Sequence, residues 1–223
     1  MDFTPLATTP INRVFPIVAI GASTGGMVAI EELLKTLDSE TGMAFVIIMH
    51  LEADRKSYFP EIIAKMTSMK VFEATEGAAI KPNCIYVMAA GVNLSVAGGI
   101  LHTTIRIETP AHNKPVDHFF HALAADSKAM AVGIILSGGD GDGSEGCKSI
   151  EAAGGHMFIQ DPRTAVNASM PTEADHTGCD DFMGSPKELA LKLSQFSHRL
   201  RAASLTGELG HRGFSDKEYS SLS

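Results

Sequence analysis

The stretch Val14-Phe-Pro-Ile-Val-Ala-Ile-Gly21-Ala-Ser-Thr-Gly-Gly26 decides the fold class. Its apolar part is β-branched and does not alternate with polar residues, the pattern of a strand buried on both faces. At Gly21-Ala-Ser-Thr-Gly-Gly26 the apolar run stops. Helical spacing takes over, with Val28, Ile30, Leu33, Leu34 and Leu37 on one face and Asp38-Ser-Glu-Thr-Gly42 closing the unit. A second continuous run, Met43 to Met49, ends at His50. The intervening segment is long enough for a crossover helix, so the two strands are expected to be parallel neighbours.

The same grammar repeats along the chain. A helix is expected over Ser57–Met66, a strand over Lys70–Ala74 and another over Cys84–Met88. A β-hairpin turns at Gly98-Gly99, and Thr104–Lys114 reads as a polar loop. Pro115 opens a helix to about Ala129, at a position where its missing N–H is harmless. Ala131–Leu136 is a third buried strand, and it runs into Ser137-Gly-Gly-Asp-Gly-Asp-Gly-Ser144. Helices over Glu145–Ala153 and Pro186–Ala203, with a strand at His156–Gln160 between them, complete the pattern. The expectation is a three-layer α/β/α fold: a doubly wound, mostly parallel sheet with an inserted antiparallel hairpin. Residues 14–204 read as one domain, 1–13 as an N-terminal extension and 205–223 as a mobile tail or linker.

Composition narrows the function. The net charge of −8 argues against nucleic acid or an anionic membrane as the main partner. No apolar run is long enough to span a bilayer, and the N-terminus lacks the pattern of a secretory signal. Cys84, Cys147 and Cys179 are few and scattered, as expected for free thiols in a reducing compartment, and a cytoplasmic location follows from these features.

Three strand ends carry reactive side chains: Ser23, His50, and Asp140 or Asp142. Ligands of open α/β sheets bind at the carboxyl edge of the strands, so these ends should converge. Together they make the set for acyl transfer, in which histidine takes the serine proton and a carboxylate orients the imidazole. Alone, Gly21-Ala-Ser-Thr-Gly25 matches the G-x-S-x-G elbow but could equally be a plain strand-to-helix turn. A dinucleotide fold fits poorly, because Ser23 replaces the second glycine and the second strand ends in His50 rather than an acid. A calcium loop through Asp140, Asp142, Ser144 and Glu151 lacks the required glycine and follows a strand. His118 and His121 share a helix face and read as surface or packing residues.

The chain order Ser23, His50, Asp142 differs from that of ordinary α/β-hydrolases and resembles the catalytic domain of chemotaxis protein-glutamate methylesterases (CheB). The resemblance runs from about Ile17 to Leu193. It includes Val18-Ala-Ile-Gly-Ala-Ser-Thr-Gly-Gly26, His50-Leu51, Glu73-Ala-Thr-Glu-Gly77, Pro82-Asn-Cys-Ile-Tyr86 and Pro115-Val-Asp117-His-Phe-Phe120. It continues with Ala131–Gly138, Asp142-Gly143, Gly154-Gly155, Gln160-Asp161 and Met170-Pro171. It implies Ser23 as nucleophile, His50 as base and Asp142 as acid. Thr24, Gly138, Gly139, Asp140 and Met170 then line the site, and the Ser23–Thr24 amides and the Ser137–Asp140 turn supply the oxyanion donors. The implied substrates are glutamyl methyl esters on chemotaxis-type receptor helices, with glutamine deamidation in some members, and no metal or cofactor is implied.

The sequence departs from the family pattern at two points. Met49 stands where a glutamine is usual, and Gly139-Asp140 alter the acid turn. A carboxylate at Asp140 directed inward would oppose an oxyanion, so lowered or altered activity is expected. The alternative reading is a non-catalytic module that binds receptors or signalling partners; a small-substrate esterase is a third. Only about sixteen residues precede the first strand, so control by a receiver domain in the same sequence is not expected. The wording Gln160-Asp-Pro162 is closer to modules that sit beside methyltransferase or sensor-kinase domains.

Overall fold

The sequence places an apolar residue at nearly every position of Ile17–Ala22, and β1 forms there with all six residues buried. A computed structural model describes residues 15–49, 58–106 and 114–206 of the chain. β1 is followed by α1 (Gly26–Thr36) and β2 (Ala44–Met49), then α2 (Phe59–Ala64), β3 (Lys70–Glu73) and β4 (Cys84–Val87). β5 (Val92–Ala97) and β6 (Ile100–Ile105) form the hairpin. α3 (Pro115–Ser127), β7 (Ala131–Ile135), α4 (Ser144–Ala152), β8 (His156–Gln160), α5 (Ser169–Asp175), β9 (Phe182–Gly184) and α6 (Pro186–Thr206) complete the order.

Seven strands build one sheet in the order β3-β4-β2-β1-β7-β8-β9, and every pairing in it is parallel. The chain first winds outward through β2, then returns past β1 to β7. The order therefore reverses beside β1, where doubly wound sheets open a crevice. Successive residues of β1 face opposite sides and both sides are apolar. Ile17 and Ala19 join the core under α3, α4 and the hairpin, while Val18 and Ile20 join the core under α1 and α6.

The hairpin pairs antiparallel from Val92 with Ile105 to Ala97 with Ile100, as a separate two-stranded sheet packed on α3. Thr104 and Ile105, expected in a loop, belong to β6; residues 107–113 of that loop lie outside the described residues. The expected start of α2 at Ser57 and the tail beyond Thr206 also lie outside them. α5 and β9 had no sequence signal. α5 has seven residues with a proline in its first turn, and β9 has three. The three cysteines are free and buried. Among the described residues no helix is long and apolar enough to cross a membrane.

Candidate active site

β2, β1 and β7 lie side by side, so the turns after them share one edge of the sheet. Ser23 directly follows β1. Its amide donates to the Ser137 carbonyl (3.0 Å) in the turn after β7, and its own carbonyl accepts the Gly26 amide at the start of α1 (2.9 Å). Ser23 therefore lies in the turn ahead of the helix, with Gly25 as the left-handed N-cap (φ 82°). Among the described residues only Asn83 and Lys128 are non-glycines with positive φ, so Ser23 lacks the strained backbone of an α/β-hydrolase elbow despite the literal motif. The Ser23 side chain is half-buried, and its hydroxyl has no hydrogen-bond partner among the described residues.

Four of the expected lining residues crowd around Ser23. A β-carbon built on Gly138 would stand 3.1 Å from the Ser23 Cβ and 1.9 Å from the Met170 Sδ, so the buried methionine fills the space beside the bare backbone. A β-carbon on Gly139 would meet the Thr24 hydroxyl at 3.6 Å and the Asn167 carboxamide nitrogen at 3.2 Å. Asn167 is the residue the sequence did not reveal. It arrives from the loop before α5, and its Oδ1 accepts the Ser169 amide (3.2 Å). Ser137 ties these loops together. Its hydroxyl lies within reach of the Thr24 (3.0 Å) and Asn167 (3.2 Å) carbonyls and accepts the Asn167 amide (2.9 Å). Its own amide donates to the buried Gln160 side chain (2.8 Å).

Backbone donors in the turn are distributed differently from expectation. The Ser23 amide is taken by Ser137, the Gly138 amide donates to the Asn167 carbonyl (3.1 Å), and the Ser137 amide is held by Gln160. None of the three is available to an oxyanion, because a buried amide keeps its acceptor. The amides of Thr24 and Gly139 have no acceptor among the described residues. Gly138 contributes shape instead, and its carbonyl accepts the Met170 amide (2.9 Å).

Asp142 is buried. Its Oδ2 accepts the Val116 amide (2.9 Å) and its Oδ1 the Asp117 amide (3.0 Å), both in the first turn of α3. Burial pushes its carboxyl up to about 6, against the pull of those two amides, and the neighbouring Asp117 and Asp140 charges push the same way. Each oxygen keeps a second lone pair, so the carboxylate can still accept an imidazole N–H. Asp140 is exposed, and its Oδ1 accepts the Asp142 amide (3.3 Å), a turn-closing bond within its own loop. His50 comes directly after Met49, the last residue of β2, and lies outside the described residues. The ligand set of the calcium-loop reading does not converge: both Asp142 oxygens face amides, and the Glu151 carboxylate meets the Cys179 thiol (3.1 Å). His118 and His121 are exposed on α3, the latter bonded to Ser149 (2.7 Å).

A family model described as CheB methylesterase matches residues 18–193. The chain belongs to the CheB methylesterase family. It is 31% identical over 207 residues to a protein-glutamate methylesterase/protein-glutamine glutaminase of Yersinia pestis bv. Antiqua, covering 91% of this chain and 57% of that protein. It is 29% identical over 177 residues to a putative protein of the same description from Leptospira interrogans, covering 79% and 92%. A third relative with that description, from Colwellia psychrerythraea, is 28% identical over 191 residues, covering 83% and 50%. The chain thus spans about half the length of the Yersinia and Colwellia relatives and nearly all of the Leptospira one. The crystal structure of the Thermotoga maritima CheB methylesterase catalytic domain shares its fold, with a TM-score of 0.73 at 24% identity, covering 82% of this chain and 98% of that one.

Proposed function

We propose that this chain is a protein-glutamate methylesterase that hydrolyses glutamyl methyl esters on chemotaxis-type receptor helices, with Ser23 as nucleophile, His50 as general base and Asp142 as the orienting carboxylate. One observation carries the reading: the unpartnered Ser23 hydroxyl stands at the carboxyl edge of β1, against the Gly138 turn, with the Thr24 and Gly139 amides unclaimed beside it. His50 follows the neighbouring strand and Asp142 the strand on the other side. His50 removes the Ser23 proton as Oγ attacks the ester carbonyl, and the resulting oxyanion draws on the Thr24 and Gly139 amides. Methanol leaves with the proton returned by His50. Water activated by the same base then hydrolyses the acyl-serine and restores the glutamate. A glutamine side chain passes through an equivalent intermediate and releases ammonia, so deamidation belongs to the same proposal.

Asp142 holds the imidazole tautomer and stabilises the imidazolium. Thr24, Gly138, Gly139, Asp140 and Met170 line the site. Residues 14–204 form the catalytic unit, acting in the cytoplasm beside methyltransferase or sensor-kinase modules. The test uses a fluorophosphonate probe, which should label wild-type protein and not Ser23→Ala, together with methanol release from methylated receptor. Labelling without methanol release would point to a small-substrate esterase, and an unlabelled wild-type chain would refute the hydrolase reading.

A further inference from the structure

Helices α3 and α4 both begin beside Asp142, and neither is capped by its own N-cap side chain: Lys114 and Gly143 make no such bond. Four N–H groups at each helix start lack an internal acceptor and need one from outside. The two helices exchange acceptors. Asp142, just before α4, takes the Val116 and Asp117 amides of α3 (2.9 and 3.0 Å). Asp117, in the first turn of α3, takes the Gly146 amide of α4 with its Oδ1 (2.8 Å). Each carboxylate thus caps the other's helix, and both are buried. The second Asp117 oxygen is buried without a hydrogen bond and faces the Lys114 ammonium at 3.4 Å.

We infer that Asp117 is a positioning residue for Asp142, the crossed caps fixing the Asp142 carboxylate through the start of α4. The inference rests on the proposed role of Asp142. Its physical basis is that Asp142 and Gly146 are separated by one short turn whose conformation leaves little slack. Gly143 has φ 101°, and a β-carbon there would lie 2.5 Å from Ile135 and 2.9 Å from Val116. If the Gly146 amide loses its acceptor, the first turn of α4 loses its tie to α3, and Asp142 moves with it. Each carboxylate faces a helix N-terminus, where backbone amides and the helix dipole favour an anion. Among the described residues, the other titratable groups around the pair are Lys114 at the N-cap of α3, Asp140 in the turn, and Cys147 and Lys148 on α4.

The experiment compares Asp117→Asn and Asp117→Ala in the full chain, by the pH profile of receptor ester hydrolysis and by NMR titration of the Asp142 carboxyl. Asn keeps an acceptor for Gly146 but removes a charge that raises the Asp142 carboxyl. Its acid limb and its Asp142 titration should therefore move to lower pH, with KM changed by less than about twofold. Ala should lower kcat roughly 10- to 100-fold, the scale of a catalytic group displaced by about 1 Å, and Asn should recover most of that loss. A fall in Tm in Ala with kcat and the Asp142 titration unchanged would reduce Asp117 to a helix cap and overturn the inference. If Ala does not fold, Asp117→Glu, which moves the Gly146 acceptor by one methylene, decides: an unchanged kcat with a lowered Tm overturns it. If the wild-type chain hydrolyses no ester, the functional proposal fails, while the Asp142 titration in Asn still decides whether the two carboxylates are coupled.

Discussion

The Met170 sulfur occupies the place where a β-carbon on Gly138 would be, 1.9 Å away. That contact fills the space beside the Gly138 backbone, next to Ser23. Gly138→Ala should push Met170 or the turn aside, lowering stability by about 1–3 kcal/mol, as overpacked cores do. Hydrolysis should fall further than stability explains, because the Gly139 amide moves with the turn. Combining it with Met170→Ala should restore part of the lost stability in a double-mutant cycle. Additive effects in urea melts would mean that the two residues do not share the space.

Ser23→Ala separates chemistry from folding. The Ser23 hydroxyl has no partner among the described residues, so its removal should change stability by less than about 0.5 kcal/mol. The rate of ester hydrolysis should fall by at least about 10⁴-fold. A large drop in Tm would show that the hydroxyl is structural.

Acid should abolish the proposed ester hydrolysis around pH 6 through Asp142. Its carboxyl is raised from 3.8 to about 6, chiefly by burial, and the proposed role requires the charged form. The stability contribution of this group has the opposite sign. The folded state binds the proton more tightly than the unfolded chain, so burying the charged form is unfavourable above about pH 6. That penalty is relieved as pH falls through the window from 6 to 3.8. Asp142→Asn should remove this contribution from the pH dependence of urea midpoints. It should also lower kcat strongly, since an amide favours the wrong imidazole tautomer.

Asp140→Gly should have a small effect. Because the carboxylate is exposed and its Oδ1 closes its own turn onto the Asp142 amide, it opposes an oxyanion less than an inward-facing acid would. Hydrolysis should change by less than about threefold, with the acid limb moving slightly to lower pH as one negative neighbour of Asp142 is lost. A tenfold or larger gain in rate would show that Asp140 faces the reacting carbonyl.

The parts of the fold legible in the sequence are those where one physical rule acts alone. β1, β2 and β7 are buried on both faces, so their sequences are continuous apolar runs, and β8 has the ends that its apolar run predicts. The site is legible as far as strand ends go: Ser23 and Asp142 both lie in turns at the carboxyl edge of neighbouring strands. Donor assignment within the turn was not legible. Which amides are free depends on Asn167 and Gln160, which come from later segments and carry no local signal. The crossed caps are hidden in the sequence for the same reason. Asp117 stands 25 residues before Asp142, and nothing about a lone aspartate early in a helix reveals which helix it caps. α5 and β9 are too short for periodicity to register.

The Ser137 hydroxyl joins Thr24 to Asn167 across sequence separations of 113 and 30 residues. Links of that length form late, since the chain must close long loops before they are rewarded. On refolding from urea, phosphonate labelling should therefore return after the far-UV circular dichroism signal has recovered. The β1–β7 pairing spans nearly the same separation, from Ile17 to Ala131, so the Ser137 link and the centre of the sheet close over the same long loop.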